Sequence, residues 1–358
     1  MNSFNITMKI FFFKNKNNNY IKNIIINKLF KIIILQVLII FFLFIKINKI
    51  YHNQDISKNQ NNKYNYKSKI NLNFENNKFA IIQYKCGICG LLSIYFFYLG
   101  CVNIYINKGY IPIIDHATFP NIFNKFNISL LNNNPWEIFF NQPFNYSLKY
   151  IIKKAKNIQY FKCKNIYNTF PDHSIYDNLV LLDYYHYISE KYIPIKNEVI
   201  KEAIYIRKNL FNDHSNILGI LARGTDYISR RPKYHPIPPN NELLIHDVKE
   251  MDKRNKYDLF FMTTEDDIIR QRFINEFGKK LKYIKYNKKI NYNYINKNYI
   301  SFNENIIGNI EFSKIYLINI IILSKSTDII CARTGGAIGT FILTNGFRNS
   351  KVYNLGVY

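Results

Sequence analysis

The sequence predicts an α/β protein made of two Rossmann-like halves that a single transmembrane helix precedes. Short apolar runs alternate with helical stretches from residue 79 onward, and the alternation restarts near residue 216 after a helical stretch over 177–210. Such alternation is typical of parallel sheets covered by helices. The 358 residues are enough for two domains, because single cores stop growing at roughly 250 to 300 residues. We assign residues 77–210 and 211–358 to the two halves.

The first half is predicted to begin with a strand over 79–84, a turn over 86–90, a helix over 91–107 and a strand over 110–114. A glycine turn between a strand and a helix is typical of nucleotide-binding or sugar-binding folds. Gly87 and Gly90 are therefore candidate ligand-binding residues. Glycines also occur in tight turns for steric reasons alone, and this alternative stays open.

Cys86 and Cys89 form a lone CxxC pair in this turn. Five cysteines are too few for a disulfide framework in so long a chain, and the odd number leaves one over. Zinc needs about four ligands, and no second CxxC or spaced histidine pair completes a set. The pattern favours ordinary residues of a tight turn over a redox pair or half of a metal site.

The second half is predicted to contain strands over 216–221, 259–262 and 328–331 and helices over 241–254 and 313–324, with a further helix at the end. Thr264 and Asp267 match a capping box, which predicts that another helix begins there. Glu265 and Asp266 complete an acidic cluster that resembles a metal site. The helix dipole favours acids in a first turn, and this is the interpretation that the position favours.

Charged and small residues follow two of these strands. Arg223, Thr225 and Asp226 come after the strand at 216–221, and residues 333–336 come after the strand at 328–331. Parallel strands end at the same edge of a sheet, so both loops should open into one crevice. A guanidinium group can grip two phosphate oxygens, and N–H groups at a helix start bind anions. The sequence therefore predicts a diphosphate site.

Several of these residues have plainer explanations. Arg223 and Asp226 can form a structural ion pair that fixes the loop. His235 precedes Pro236, and it can either pack in an extended turn or face a ligand. Trp136 is predicted to anchor the core rather than to serve as a platform for a sugar ring.

The N-terminal residues are predicted to lie outside the globular fold. Residues 1–31 carry no acidic side chain and form a basic tail, 32–47 form an apolar signal anchor, and 48–76 form a flexible stem. The apolar run is short for a bilayer, so a buried or interfacial helix stays the alternative.

The net charge of +25 does not by itself predict a nucleic-acid partner. Asn, Ile, Lys, Tyr and Phe are all in excess and all have A/T-rich codons, so genome composition explains much of the basicity. The lysines form no arginine-aromatic stripe and no known nucleic-acid module. We expect no nucleic acid among the partners.

The ordered motifs of the second half resemble those of the α-1,6-fucosyltransferases, the core-fucosylating and nodulation-factor enzymes. Residues 223–226 resemble the family's Arg-x-Thr-Asp element. Eight residues later, His235-Pro236-Ile237 resembles its His-Pro-Ile element. Residues 263–266 resemble its Ala-Thr-Asp-Asp segment, and residues 323–334 resemble its Leu-Ser segment that ends in a serine-rich turn.

The resemblance extends over residues 79–345. In the first half, Cys86-Gly87 resembles the family's Cys-Gly loop, and the segment from Trp136 to Pro143 resembles its Trp-Glu-x-x-Phe element. The chain departs from the family at two base-reading positions, where Leu221 replaces a histidine and Asn319 replaces an aspartate. It also has Tyr227 where the family has a lysine.

The resemblance implies a GT-B glycosyltransferase whose first domain faces the acceptor and whose second domain holds a nucleotide sugar. Such enzymes invert the anomeric centre, and they use no metal and no cofactor besides the nucleotide-sugar co-substrate, with GDP-fucose favoured here. The acceptor would be a hydroxyl of a glycan or glycoconjugate. A single-pass enzyme of this kind belongs in a Golgi-type membrane if eukaryotic and in the inner membrane if bacterial. The alternative is a non-catalytic glycan-binding or assembly protein on a degenerate GT-B fold.

The resemblance also implies roles for individual residues. Arg223 would neutralise charge on the β-phosphate as the sugar leaves, and Asp226 would hold Arg223 or help to deprotonate the acceptor. No metal ligand is implied. The donor-binding candidates are Gly87, Gly90, Thr225, His235, Asp266, Arg333, Thr334, Gly335 and Gly336.

Overall fold

The computed structural model describes residues 74–86, 89–119, 121, 123, 134–162, 171–224, 227–228, 231–285 and 310–358. The predicted basic tail, the signal anchor at 32–47 and nearly all of the stem lie outside these residues. Three predicted site residues, Gly87, Thr225 and Asp226, lie outside them too. In the described part of the chain, no helix is both long and apolar enough to span a bilayer.

The described strands form two sheets, and every pair of neighbouring strands is parallel. The strands are β1 Phe79–Gln83, β2 Ile111–Asp115, β3 Ile158–Lys162, β4 Ile217–Leu221, β5 Leu259–Thr263, β6 Leu281–Lys282, β7 Asp328–Ala332 and β8 Ser350–Tyr353. The first sheet has the order β2-β1-β3, and the second has the order β6-β5-β4-β7-β8. The second order is that of a Rossmann sheet, in which the chain reverses direction across the sheet after its third strand.

Helices connect these strands. They are α1 Leu91–Asn107, α2 Trp136–Phe139, α3 Leu148–Lys154, α4 Leu179–Tyr192, α5 Asn197–Phe211, α6 Asn241–Asn255, α7 Asp267–Phe277, α8 Ile310–Leu323 and α9 Gly335–Leu343, with 3₁₀ turns at Pro143–Asn145, His173–Tyr176 and Gly278–Lys280. Strands β1, β4, β5 and β7 are buried along their whole length. Burial of both faces requires nearly continuous apolar runs, which explains why these strands are readable in the sequence.

One hydrophobic core extends across both sheets. Within it α1 packs against α9, and a methyl group on Gly339 would lie 2.8 Å from Leu92 Cδ1, so glycine permits this close approach. Trp136 is 2% exposed and stacks on the ring of Tyr95, which confirms its prediction as a core anchor. Residues 71–358 form one compact unit, and the predicted boundary at 210/211 falls inside it.

The predicted start of α7 is wrong. The N-cap is Asp266 rather than Thr264, and its carboxylate accepts the N–H groups of Ile268 and Ile269 at 2.9 and 3.1 Å. Both residues are good cap formers, and the loop after β5 selects the later one. Strands β3 and β8 escape prediction because they are only partly buried and lack a continuous apolar run.

The interpretation of the cysteines is also wrong. Cys86 and Cys89 are joined by a disulfide with their Cα atoms 5.7 Å apart, and Cys101 is also disulfide-bonded. Bonding depends on the direction of the Cβ atoms, which sequence spacing does not reveal. Cys331, at the end of β7, is free and buried, and burial raises the pKa of its thiol to about 12.

Candidate active site

The strand order places a crevice between the ends of β4 and β7. These two strands are neighbours, and Leu221 of β4 pairs with Cys331 of β7. The connection from β4 leads to β5 on one side of the sheet, and β7 continues to β8 on the other. Loops that diverge from such a point leave an opening at the carboxyl edge, where open α/β sheets bind their ligands. The two loops singled out in the sequence therefore leave the sheet side by side.

Arg223, two residues beyond β4, is held by groups of its own half. Its Nη1 lies 3.2 Å from Oε1 of Glu265, and the same oxygen accepts the N–H of Gly224 at 3.3 Å. The guanidinium carbon lies 4.7 Å from the ring centroid of Tyr227, within the range of a cation–π interaction. The side chain remains 25% exposed, so Arg223 is oriented and still accessible.

Gly224 is required by the close approach of this loop to α7. A Cβ atom there would lie 2.4 Å from Oδ2 of Asp266 and 2.7 Å from its Cβ. Asp266, a predicted donor-binding residue, already caps α7 through Oδ1. Its position places it directly beneath the loop that carries Arg223.

Arg333 follows β7 and is held by a segment of the first half. Its Nη2 lies 2.9 and 2.8 Å from the two carboxylate oxygens of Asp177, and its guanidinium carbon lies 5.5 Å from the ring centroid of Tyr176. The hydroxyl of Tyr176 donates to the carbonyl oxygen of Thr334 at 3.4 Å. Thr334 caps α9 by accepting the N–H of Ala337 at 3.3 Å.

Gly335 and Gly336 form the first turn of α9. The first amides of a helix have no carbonyl partner inside it, and together with the helix dipole they favour an anion. A Cβ on Gly336 would lie 3.1 Å from Oη of Tyr316 and 3.3 Å from Cδ2 of Leu221, so this turn lies against the end of β4. Burial raises the pKa of Tyr316, and the nearby charge of Arg223 acts in the opposite direction. The helix start and Arg223 therefore both lie near Tyr316, at the end of β4.

His235 lies beside Tyr227, the residue whose ring contacts Arg223. Its Nδ1 is 3.1 Å from Oη of Tyr227, and its carbonyl oxygen accepts the N–H of Tyr358 at 3.0 Å. The side chain is exposed. Both interpretations of His235, packing in an extended turn and facing a ligand, are compatible with this position.

Gly90, the other described glycine among the candidates, caps α1 with an ordinary extended backbone, φ −68°. A Cβ atom there would meet nothing within 4 Å. Neither backbone conformation nor space requires glycine at this position, so its donor-binding role stays a prediction.

His173 and Tyr176 are site residues that sequence reasoning missed. Burial lowers the pKa of His173, the charges of Arg333 and His235 lower it further, and Asp172 acts in the opposite direction. The Asp172 carboxylate accepts the N–H of Ser174 at 2.8 Å. This hydrogen bond caps the start of the 3₁₀ turn. A local cap of this kind is visible in the sequence. Nothing local connects the turn with Arg333, which lies 156 residues after its partner Asp177.

The described residues contain no group of three or more His, Cys, Asp or Glu side chains that could hold a metal ion. Glu265, Asp266 and Asp267 instead lie at the start of α7, where Asp267 occupies the first turn.

Comparison with known proteins gives matches only among solved structures. No family model and no curated protein matches the sequence. The fucosyltransferase NodZ from Bradyrhizobium is similar at 13% identity and a TM-score of 0.40, covering 75% of this chain and 93% of that one. POFUT1 in complex with GDP is similar at 7% identity and a TM-score of 0.42, covering 77% and 98%. NodZ is a fucosyltransferase, the class that the sequence motifs resemble. At such scores the likeness carries no argument about function, which rests on the chain's own geometry.

Proposed function

We propose that this protein is an inverting glycosyltransferase of the GT-B type that transfers a sugar from a nucleotide-diphosphate sugar to a hydroxyl of a glycan or glycoconjugate. Fucose is the favoured sugar and GDP-fucose the favoured donor. The observation that carries the proposal is the position of Arg223 beside the start of α9, at the point where the second sheet reverses its strand order.

The donor diphosphate is assigned to this opening. The amides of Gly335 and Gly336 would bind one phosphate, and Arg223 would face the oxygen that leaves the sugar. Negative charge grows on that oxygen as the bond to the anomeric carbon breaks, and a fixed cation stabilises it. Glu265 keeps the guanidinium in place, so little reorganisation is needed during the reaction.

Inversion follows from a single displacement in which the acceptor oxygen attacks the anomeric carbon opposite the leaving diphosphate. The proposal assigns no step to a metal ion, because guanidinium groups and a helix start supply the positive charge. Two measurements test these points: the anomeric configuration of the product by NMR, and transfer rates with and without a chelator. A retained configuration or a rate abolished by chelation and restored by a divalent cation would contradict them.

The identity of the base is the least constrained part of the donor. Asn319 is engaged by the protein, since its Oδ1 accepts the hydroxyl of Thr263 at 3.1 Å and its Nδ2 donates to the carbonyl of Ile315 at 3.0 Å. Leu221, at the other base-reading position of the family, is buried and apolar. Donor screening should therefore include GDP, UDP and their sugars rather than guanine nucleotides alone.

A thermal-shift and calorimetric panel with these compounds tests the proposal directly. We expect at least one nucleotide to stabilise the full chain and to bind with 1:1 stoichiometry, and we expect R223A to lose transfer while it remains folded. Glycan binding without binding of any nucleotide would overturn the proposal in favour of a non-catalytic protein.

The proposal includes anchoring of the enzyme to a membrane through residues 32–47, with residues 48–76 as a stem. The full chain should resist extraction by alkaline carbonate, whereas a variant that lacks residues 1–70 should be released. Release of the full chain under the same conditions would contradict anchoring.

A further inference from the structure

The 3₁₀ turn His173–Tyr176 belongs to the first half, but it lies against the start of α9. The hydroxyl of Tyr176 donates to the carbonyl of Thr334, and Asp177 binds Nη2 of Arg333. The ring of Tyr176 also meets Phe341 edge-on, with centroids 5.1 Å apart. These contacts fix the turn as one wall of the crevice assigned above to the donor.

The imidazole of His173 lies in this wall among charged groups. Its ring is nearly parallel to that of Tyr176, with an angle of 14° between the planes and centroids 6.4 Å apart. Its Nδ1 is enclosed and has no hydrogen-bond partner within the described residues, whereas Nε2 is not enclosed. The groups that interact electrostatically with the ring are Asp172 on its own turn, Arg333 after β7 and His235.

Burial lowers the pKa of this imidazole below its usual value; Asp172 acts in the opposite direction, and Arg333 and His235 lower the pKa further. The ring is therefore neutral at neutral pH and can accept a proton. No described partner fixes which nitrogen carries the proton, so Nε2 can present its lone pair to a ligand.

The described carboxylates around the crevice already have partners in the protein. Glu265 pairs with Arg223, Asp266 accepts two N–H groups at the start of α7, and Asp177 binds Arg333. These contacts orient the carboxylates within the protein, whereas no described group forms a hydrogen bond with Nδ1 of His173. Asp226, which the sequence suggested for this role, lies outside the described residues.

We infer that His173 is the general base of the proposed transfer reaction, contributed to the donor crevice by the acceptor-side half. The inference rests on the proposed function. The acceptor hydroxyl donates its proton to the imidazole while its oxygen forms the bond to the anomeric carbon. The bond between that carbon and the diphosphate oxygen breaks, and the diphosphate leaves with the electron pair. The imidazolium then releases the proton to water.

The test compares H173Q and H173N with wild type, and H214Q serves as the matched control. His214 is an exposed histidine that lies 3.8 Å from Asp258, away from the crevice. We expect kcat to fall about 100-fold or more in both His173 variants, in line with the loss of a general base. Affinity for the donor diphosphate, measured by calorimetry, should change less than about threefold, since His173 does not bind phosphate in this scheme.

The pH dependence provides a readout that a structural role would not change. In wild type and H214Q, kcat/KM for the acceptor should rise with pH, with an apparent pKa below the usual histidine value. This rise should disappear in both His173 variants. If the same rise of kcat/KM with pH persists in the variants, or if their kcat is within about threefold of wild type, the inference is overturned. Failure of every nucleotide to bind wild type would instead overturn the proposed function, and the inference with it. If H173Q does not fold, H173N and its pH profile decide.

Discussion

Arg223 and Arg333 follow β4 and β7 at the same edge of the sheet, but the chain holds these two arginines differently. Arg223 pairs with Glu265, which follows the neighbouring strand β5 of the same sheet. Arg333 pairs with Asp177, which lies 156 residues earlier and belongs to the first half. One described ion pair thus lies within the second half, and the other depends on how the first half packs against the second.

The two ion pairs also differ in burial. The side chains of Arg223 and Glu265 are 25% and 13% exposed, whereas those of Arg333 and Asp177 are 19% and 67% exposed. Removing one partner of a buried pair leaves a desolvated charge, while an exposed carboxylate is well solvated with or without its partner. We therefore expect substitutions of Arg223 or Glu265 to have larger effects than substitutions of Arg333 or Asp177.

The largest effect is expected for R223A. Loss of a cation fixed beside the leaving oxygen should lower kcat about 100- to 1,000-fold. R333A should lower donor affinity more than kcat, because Arg333 is a donor-binding candidate that would hold the donor before the reaction as well as during it. Steady-state kinetics with saturating acceptor will separate the effect on donor affinity from the effect on kcat. The control is R272A, because Arg272 forms an exposed ion pair with Glu242. Equal effects of R223A and R333A on kcat would show that the two loops are equivalent.

The second prediction contrasts two glycines. In G224A the new Cβ would lie 2.4 Å from Asp266 Oδ2, so the loop or α7 must move, at a cost of about 1 to 3 kcal/mol in the free energy of unfolding. In G335A the nearest atom would be Phe96 Cε2 at 3.9 Å, an ordinary contact, and the melting temperature should not fall. Calorimetry of both variants checks the contrast, and a melting temperature for G224A equal to that of G335A would refute it.

A third prediction concerns the two carboxylates. E265Q should lower kcat about tenfold, because a neutral amide holds the guanidinium of Arg223 less firmly. D177N should change the free energy of unfolding by only about 0 to 1 kcal/mol, since its carboxylate is largely exposed. D177N should also bind donor as well as wild type or better, because the carboxylate and the phosphate compete for one guanidinium. Weaker donor binding in D177N would instead make Asp177 a positioning residue for Arg333.

The last prediction concerns Y227F, for which we expect a small loss of stability and little loss of activity. This change removes the hydrogen bond of 3.1 Å to His235 but keeps the ring beneath Arg223, so the loss of stability should be about 0.5 to 1.5 kcal/mol. Chemical denaturation measures it. A loss of activity comparable with that of R223A would show that the hydroxyl, rather than the ring, orients the guanidinium.

Much of the second sheet could be predicted from the sequence. Strands β4, β5 and β7 are short apolar runs, and parallel packing buries both of their faces, so their composition alone reveals them. Arg223 and Arg333 were placed correctly at the ends of two such strands. Edge strand β8 and the half-exposed β3 have no such pattern and were missed.

The sequence by itself determined which loops carry the charges, because the chemistry of a strand end is local to a few residues. Only the tertiary structure decided what holds those charges, that Cys86 bonds to Cys89, and that His173 lies in the wall of the crevice. These contacts join residues that are distant in the chain or depend on side-chain direction. Periodicity and motif spacing contain no information about long-range contacts or side-chain direction. The packing of the two sheets on a shared core determines these contacts and directions.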